Sequence, residues 1–551
     1  MFKKVLAILT ALCLAGLTAA GCAQSGTQSG ARDSGSTADE TTAPAETTAP
    51  AAITTNLPKL DMTKWQFEPD DKVYYQLGVA YCEKPADENC EKLAVFVPQA
   101  YMDATDNGDG TFTCKLSETA VNGYTAATAP IVMPIETPGY ASCPALPSYE
   151  ALFSESVTDY TSQGFVFVFP GCRGIEHGAP AGVTDLKAAV RYLRYCDDVL
   201  AGDAERIFAY GMSGGGAQAA VLGASGDSKL YDPYLEAIGA VQGVSDAVLG
   251  SMDWCPITDL GTANAEYEWM MGCTRTGRSA EEQAISDGLA TAFAEYVNNA
   301  GFTDKNGSKL TLTESAEGIY QAGSYYDYIK GVIEQSLNNY LTDTDFSNPE
   351  RHNSFKTPKE YIDSLNANGA WVTYDESTNT VTIKSIADFS KAFKKASDLI
   401  VAFDQPTSQN PLFGLGDGKG MHFDKILAGV LTKVNDPSAA DYNADLQKTD
   451  AVGNTVEQRV ELYAPLSFLM PGRQGYGTAN VAKYWRIRTG IEQTNTSVTT
   501  EANLALALEH CDGVESVDFE TVWAQDHTQA ERTGPSTAAE NFIGWVKSCV
   551  K

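Results

Sequence analysis

A serine becomes a nucleophile only when a base can take its proton, and one serine in this chain is set apart by its neighbours. Ser213 lies in Ile207-Phe-Ala-Tyr-Gly-Met-Ser213-Gly-Gly-Gly216. An apolar run ends in Gly211-x-Ser213-x-Gly215, and an alanine-rich segment from Ala217 to Leu222 follows. A strand, a sharp turn and a helix are the simplest reading. In that setting glycines let strand and helix pass closely, and the serine oxygen stands at the tip of a strained turn. Glycine and serine are also common in plain loops, so the flanking sequence has to decide.

Histidine is the base suited to neutral pH. The chain has five: His177, His352, His422, His510 and His527. His352 and His422 fall in a long middle stretch outside the βα rhythm, and His510 sits at a predicted helix end, where a surface or dipole role is the plainer account. His177 follows the turn Gly171–Gly174 and could line a site. His527 comes late, just beyond the last predicted strand, where the Ser…acid…His order puts the base. The acid then belongs on the loop after the strand Tyr484 to Arg488. That loop holds one carboxylate, Glu492, while Gln493 and Asn495 stand where an aspartate is expected. An amide can orient an imidazole but cannot stabilise an imidazolium by charge. The third member stays open among Gln493, Asn495 and Glu492. For the oxyanion, the N–H of Gly214 is one expected donor. The turn Gly171–Gly174, with Cys172, is the expected source of the second, although a simple tight turn explains it equally well.

The elements around these residues point to one fold. Lys92 to Pro98, Ala129 to Ile135 and Phe165 to Phe169 read as strands, and Tyr149 to Gln163 as a helix. Unbroken hydrophobicity in Phe165 to Phe169 suits a parallel strand covered on both faces. A helix from Thr184 to Tyr195, capped by Thr184, precedes the Ser213 strand. Strand, glycine turn, helix, strand, elbow and helix form a βαβα pattern, hence a mostly parallel, doubly wound sheet. Ala237 to Val244 reads as the next strand. Residues 259–462 then form a mainly helical insertion, too long for a loop, which we expect to be a lid. It contains helices at Ala280 to Asn299 and Tyr325 to Tyr340, and a hairpin, Trp371 to Tyr374 with Thr380 to Ile383. The sheet resumes at Tyr484, and a helix from Thr500, a strand from Val514 to Val522 and a helix from Ala538 follow.

Residues 1–22 read as a signal: Lys3 and Lys4, a short apolar run, then Ala19-Ala-Gly-Cys22, a lipobox-like end with Cys22 as the lipid-carrying residue. An ordinary secretory signal is the alternative. Residues 23–58 are a Ser/Thr/Pro/Ala tether, and residues 59–258 and 463–551 the two parts of the core. The formal net charge of −32 argues against nucleic acid and against docking on anionic lipid, so the lipid anchor is the only expected membrane contact. Ten cysteines follow Cys22, and Cys82 with Cys90 is a plausible disulfide. No cysteine spacing suggests a metal, and the glycine-rich Gly414 to Gly420 lacks the features of a phosphate loop, so no metal or cofactor is expected.

Together the run Ile207 to Gly216, Leu222-Gly-Ala-Ser-Gly-Asp227 and Tyr231-Asp-Pro-Tyr-Leu-Glu236 resembles the bacterial (subtype B) tannases and their feruloyl-esterase-like relatives. Thr184 to Arg194, Cys255 to Leu260, Tyr484 to Arg488 and Trp523 to His527 add to the likeness, which spans the chain from about Leu60. It implies an α/β-hydrolase fold with a large lid and cleavage of phenolic, galloyl- or feruloyl-type esters, with Ser213 as nucleophile and His527 as base. In the tannases the acid loop carries two aspartates, one in the triad and one gripping the phenolic ring. Gln493 and Asn495 fill those two positions in the register fixed by Gly490 and Thr496, which makes Asn495 the candidate substrate contact. A ligand-binding protein with a weakened hydrolase site is the alternative from another class, and a serine peptidase a third.

Overall fold

The apolar runs build one central sheet. The structure, a computed structural model, describes residues 52–551 except 152–155, 349–353, 395–399 and 408. The signal sequence, Cys22, most of the tether and His352 lie outside the described residues. In chain order the strands are β1 (Gln66–Glu68), β2 (Val73–Ala80), β3 (Lys92–Pro98), β4 (Met102–Asp106), β5 (Phe112–Leu116), β6 (Ile131–Ile135), β7 (Val166–Pro170), β8 (Ile207–Met212), β9 (Gly250–Trp254), β10 (Val372–Asp375), β11 (Thr380–Ile383), β12 (Tyr484–Gly490) and β13 (Ser516–Val522). Two hairpins, β4–β5 and β10–β11, stand apart. The other nine strands form a single sheet in the order β1-β2-β3-β7-β6-β8-β9-β12-β13. Every pairing from β7 through β13 is parallel, and β1, β2 and β3 add antiparallel pairings on one side.

Every residue of β6, β7 and β9 is buried, and so is all of β8 but Met212. That is why these strands read as continuous apolar runs: helices cover both faces of such a sheet. The arrangement is the α/β-hydrolase fold. The elbow after β8 and the loops after β12 and β13 all emerge at the carboxyl edge, where sites form in open parallel sheets.

Between the neighbouring strands β9 and β12 the chain makes a long excursion. It is mainly helical, with helices Ala280–Ala300 and Ser324–Asp343 and the β10–β11 hairpin close to where the sequence puts them. It packs back on the far end of the sheet. The Ser336 hydroxyl donates to the Thr521 carbonyl of β13 at 2.8 Å, and the Trp523 indole N–H to the Tyr361 hydroxyl at 2.6 Å.

Four local expectations are corrected. The next strand after the elbow helix is β9, not Ala237 to Val244. Gly239 and Gly243 take φ of +66° and +78°, which breaks an extended run, and Ala240 and Gln242 make only isolated bridges to Cys82 and Thr54. The helix before β8 starts at Ala181, and Thr184 lies inside it, its hydroxyl donating to the Pro180 carbonyl at 3.0 Å. Where a helix is expected from Tyr149 to Gln163, the described residues hold a 3-10 turn, Tyr149–Ala151, and a short helix, Val157–Thr161, that ends before Gln163; serines and threonines at 156, 158, 161 and 162 favour turns over helix. Cys82 and Cys90 are free thiols, as are the other eight cysteines among the described residues. Their sulfurs turn to carboxylates instead, Cys82 to Glu91 at 3.7 Å and Cys90 to Asp87 at 3.6 Å.

Candidate active site

Ser213 joins β8 to the helix Gly214–Ala224 with φ 59° and ψ −120°, a conformation that costs free energy for any residue with a side chain. The close crossing of strand and helix imposes it. A Cβ on Gly215 would stand 2.0 Å from the Ile135 carbonyl oxygen of β6, so only glycine fits. The Ser213 N–H donates to the Trp254 carbonyl at the end of β9, at 2.9 Å.

The loops after β12 and β13 meet beside it. At Gly490 a Cβ would stand 2.0 Å from the Asp526 carbonyl oxygen, so this glycine lets the two loops touch. The Glu492 N–H donates to the Gln525 carbonyl at 3.0 Å. The buried Cys255 thiol ties both loops down, accepting from the Gly490 N–H at 3.5 Å and donating to the Thr528 carbonyl at 3.2 Å.

This framework brings His527 Nε2 to 2.8 Å from Ser213 Oγ and His527 Nδ1 to 2.6 Å from Gln493 Oε1. Gln493 therefore occupies the position left open among three residues. Its side chain is buried, and its NH2 donates to Thr489 Oγ1 (2.5 Å), Thr496 Oγ1 (2.9 Å) and Glu501 Oε1 (3.0 Å). Glu492 does not take the place: Nδ1 is already bonded to Gln493, and Glu492 lies beside Asp526 and Lys394 instead. Burial and the Asp526 charge push the Glu492 carboxyl up, with Lys394 opposing. Asn495 is exposed and is not among the residues that wall the cavity over Ser213. Burial holds the His527 imidazole below its ordinary value, with Asp526 opposing.

A cavity of about 470 Å³ opens over Ser213 and His527, walled by Ile135, Glu136, Thr137, Pro138, Tyr210 and Met212 among others. Gly214 opens the elbow helix, where first-turn N–H groups have no acceptor within the helix, so its N–H is available to a developing oxyanion. The second expected donor is corrected. The Cys172 N–H already donates to the Cys143 carbonyl at 2.9 Å, and its turn is held structurally, with the Arg173 guanidinium on Asp185 at 2.6 Å. The backbone beside the elbow is instead the loop after β6, at Glu136 and Thr137, because β6 and not β7 adjoins β8.

The other histidines are elsewhere. His177 pairs with Asp87 at 3.4 Å and lines a different cavity. His422 stacks on Tyr442 and bonds Asp404, which raises its pKa. His510 is exposed at the end of the helix Val498–Glu509. Sequence reasoning missed Glu501. It looks like an ordinary acidic residue in a helix's first turn, and the one available signal is that it is the only carboxylate in the run Val498-Thr-Thr-Glu-Ala-Asn-Leu-Ala-Leu-Ala-Leu508.

Comparison with known proteins points to the same fold and to ester hydrolysis. The BD-FAE family model, an esterase family, matches residues 123–315. Among solved structures, tannin acyl hydrolase from Lactobacillus plantarum is 27% identical with a TM-score of 0.67, over 87% of this chain and 94% of that one. The tannase of Fusobacterium nucleatum is 26% identical with a TM-score of 0.66, over 87% and 95%. Tannin acyl hydrolase has also been solved in complex with ethyl gallate, at 27% identity and a TM-score of 0.67, over 87% of this chain and 94% of that one. No curated protein matches the chain. The chain is accordingly a carboxylic ester hydrolase with the α/β-hydrolase fold, similar over most of its length to the bacterial tannases.

Proposed function

We propose that this protein is an exported, lipid-anchored serine esterase acting on phenolic carboxylic esters. The observation that carries the reading is the line Ser213 Oγ, His527, Gln493 Oε1, with its 2.8 and 2.6 Å links. His527 takes the Ser213 proton as Oγ attacks the ester carbonyl. The tetrahedral oxyanion is held by the N–H of Gly214, with the N–H of Thr137 as second donor. The alcohol leaves with the proton from His527, and water activated by the same imidazole then releases the acid. Apolar walls at Ile135, Pro138, Tyr210 and Met212 suit an aromatic acyl group, and the ethyl gallate and 3,4-dihydroxybenzoate complexes of tannin acyl hydrolase support that choice. Export and anchoring rest on the signal-like residues 1–22 and Cys22. The test is a panel of gallate, ferulate and acetate esters with a fluorophosphonate probe. We expect turnover highest on the phenolic esters and labelling that Ser213→Ala abolishes; equal labelling of wild type and variant contradicts the reading.

The pH profile follows from the base. A general base works when neutral, and His527 has its pKa lowered from 6.5 by burial. The acid limb of kcat/KM is therefore expected below pH 6.5, and a limb above that value contradicts His527 as the base.

One observation favours a second reading. Gln493 brings no charge to His527, so a ligand-binding protein with a residual hydrolase site is the competitor. It requires that ethyl gallate raise the unfolding midpoint while ester turnover in wild type equals that of Ser213→Ala.

A further inference from the structure

Gln493 has two faces, and the far one carries a carboxylate. Its NH2 meets two hydroxyls, Thr489 and Thr496, and Glu501 Oε1 at 3.0 Å. A hydroxyl serves equally as donor or acceptor, so the threonines do not decide which end of the amide faces them. An ionised carboxylate only accepts. In its ionised form Glu501 thus demands the NH2, which turns Oε1 to His527. That carbonyl in turn demands a proton on Nδ1, and Nε2 is left bare to accept from the Ser213 hydroxyl. With the amide reversed, the proton would sit on Nε2 and the base would be lost.

Glu501 is fully buried, and two features besides Gln493 favour its ionised form against that burial. It stands in the first turn of the helix Val498–Glu509, where the helix dipole favours an anion. The Thr496 hydroxyl donates to the same oxygen at 2.8 Å. Lys394, also buried, is the nearby countercharge, and its ammonium donates to the Gln493 backbone carbonyl. Burial pushes the Glu501 carboxyl up to about 7, with Thr496 and Lys394 holding it down. Burial likewise pushes Lys394 down to about 8 against the pull of Glu501, Cys255, Asp526 and Glu492.

We propose that Glu501 is the acid of this site, a positioning residue that acts through the Gln493 amide: it sets the tautomer of His527 and lends negative charge to the imidazolium. The proposal rests on the serine reading above. It turns the apparent loss of the acid into a relay one residue longer, from Ser213 through His527 and Gln493 to Glu501.

The test is a swap. Glu501→Gln keeps the shape and removes both the charge and the acceptor-only face. We expect kcat to fall about 10²-fold, between a typical outer-shell loss and a wrong-tautomer loss, with KM little changed and the acid limb moved to lower pH. The double variant Gln493→Glu with Glu501→Gln restores a carboxylate, now directly on Nδ1. Its kcat is expected to return to the wild-type level or above, and its acid limb to lie higher than the wild type's, since a touching opposite charge raises an imidazole pKa. Gln493→Glu alone sets two carboxylates about 3 Å apart that must share a proton, and should gain nothing. If Glu501→Gln unfolds because Lys394 is left unpaired, Glu501→Gln with Lys394→Met removes both charges and must show the same loss in kcat. Wild-type kcat and an unmoved acid limb in either variant overturn the proposal, as does a loss in Glu501→Gln that the swap fails to restore. Fluorophosphonate labelling of wild-type Ser213 separates the two failures: if it holds while the swap fails, the relay falls and the serine reading stands.

Discussion

Replacing Ser213 by alanine is expected to cut ester turnover by about 10⁴- to 10⁶-fold while leaving the fold intact. The two halves of that result have separate causes. Alanine keeps the Cβ, and the strained φ of 59° is imposed by the crossing of β8 and its helix rather than by the hydroxyl. The unfolding midpoint should therefore stay where it is. Only Oγ is lost, and with it the bond to His527 Nε2. Residual turnover would come from binding and the oxyanion donors alone. Steady-state rates on a gallate ester, with thermal unfolding of the same samples, check both halves. A fall of less than about tenfold would mean that the attacking group is not Ser213.

The second large effect concerns stability. Asp246→Ala is expected to cost about 3–5 kcal/mol, the usual cost of removing one partner from a buried ion pair. Asp246 takes Lys187 Nζ at 2.7 Å on one oxygen and Arg191 Nε at 2.8 Å on the other, and also accepts from the Asp227 N–H at 2.8 Å. Lys187 and Asp246 are 0% and 1% exposed, so water cannot replace the lost partner. Burial alone would push the Asp246 carboxyl up, but the two cations outweigh it and hold it below its ordinary range. The cluster also positions the site. Both cations belong to the helix Ala181–Tyr195, and Lys187 donates to the Ser225 carbonyl, which closes the elbow helix, at 2.6 Å. Denaturant unfolding measures the loss, and a change below about 1 kcal/mol would show the cluster to be replaceable.

What the sequence revealed, and what it hid, follows from how local each constraint is. The elbow was legible because its backbone demands glycine at fixed offsets from Ser213, and His527 because chain order alone places it. The outer edge of the sheet was legible as well, since β12 and β13 are long runs with clear ends. Strand β9 was not: Gly250-Ser-Met-Asp-Trp254 carries Asp253 one residue before its end, and nothing local says that this carboxyl will be buried, with its pKa well raised by burial. The oxyanion turn was misplaced because sequence neighbours are not sheet neighbours. Cys172 follows β7, but the order β7-β6-β8 sets the loop after β6 beside Ser213. The third member was unreadable for the same reason. Gln493 looks like a lost acid until the fold lays Glu501, eight residues later and one helical turn in, against its NH2.

The most direct measurement is mass spectrometry of the protein quenched during turnover of a slow phenolic ester, with the released alcohol followed in the same experiment. The account predicts a burst of alcohol close to one equivalent and a single acyl group on the peptide that contains Ser213. Turnover without a burst, with the acyl group absent from Ser213 or carried by another residue, would contradict it.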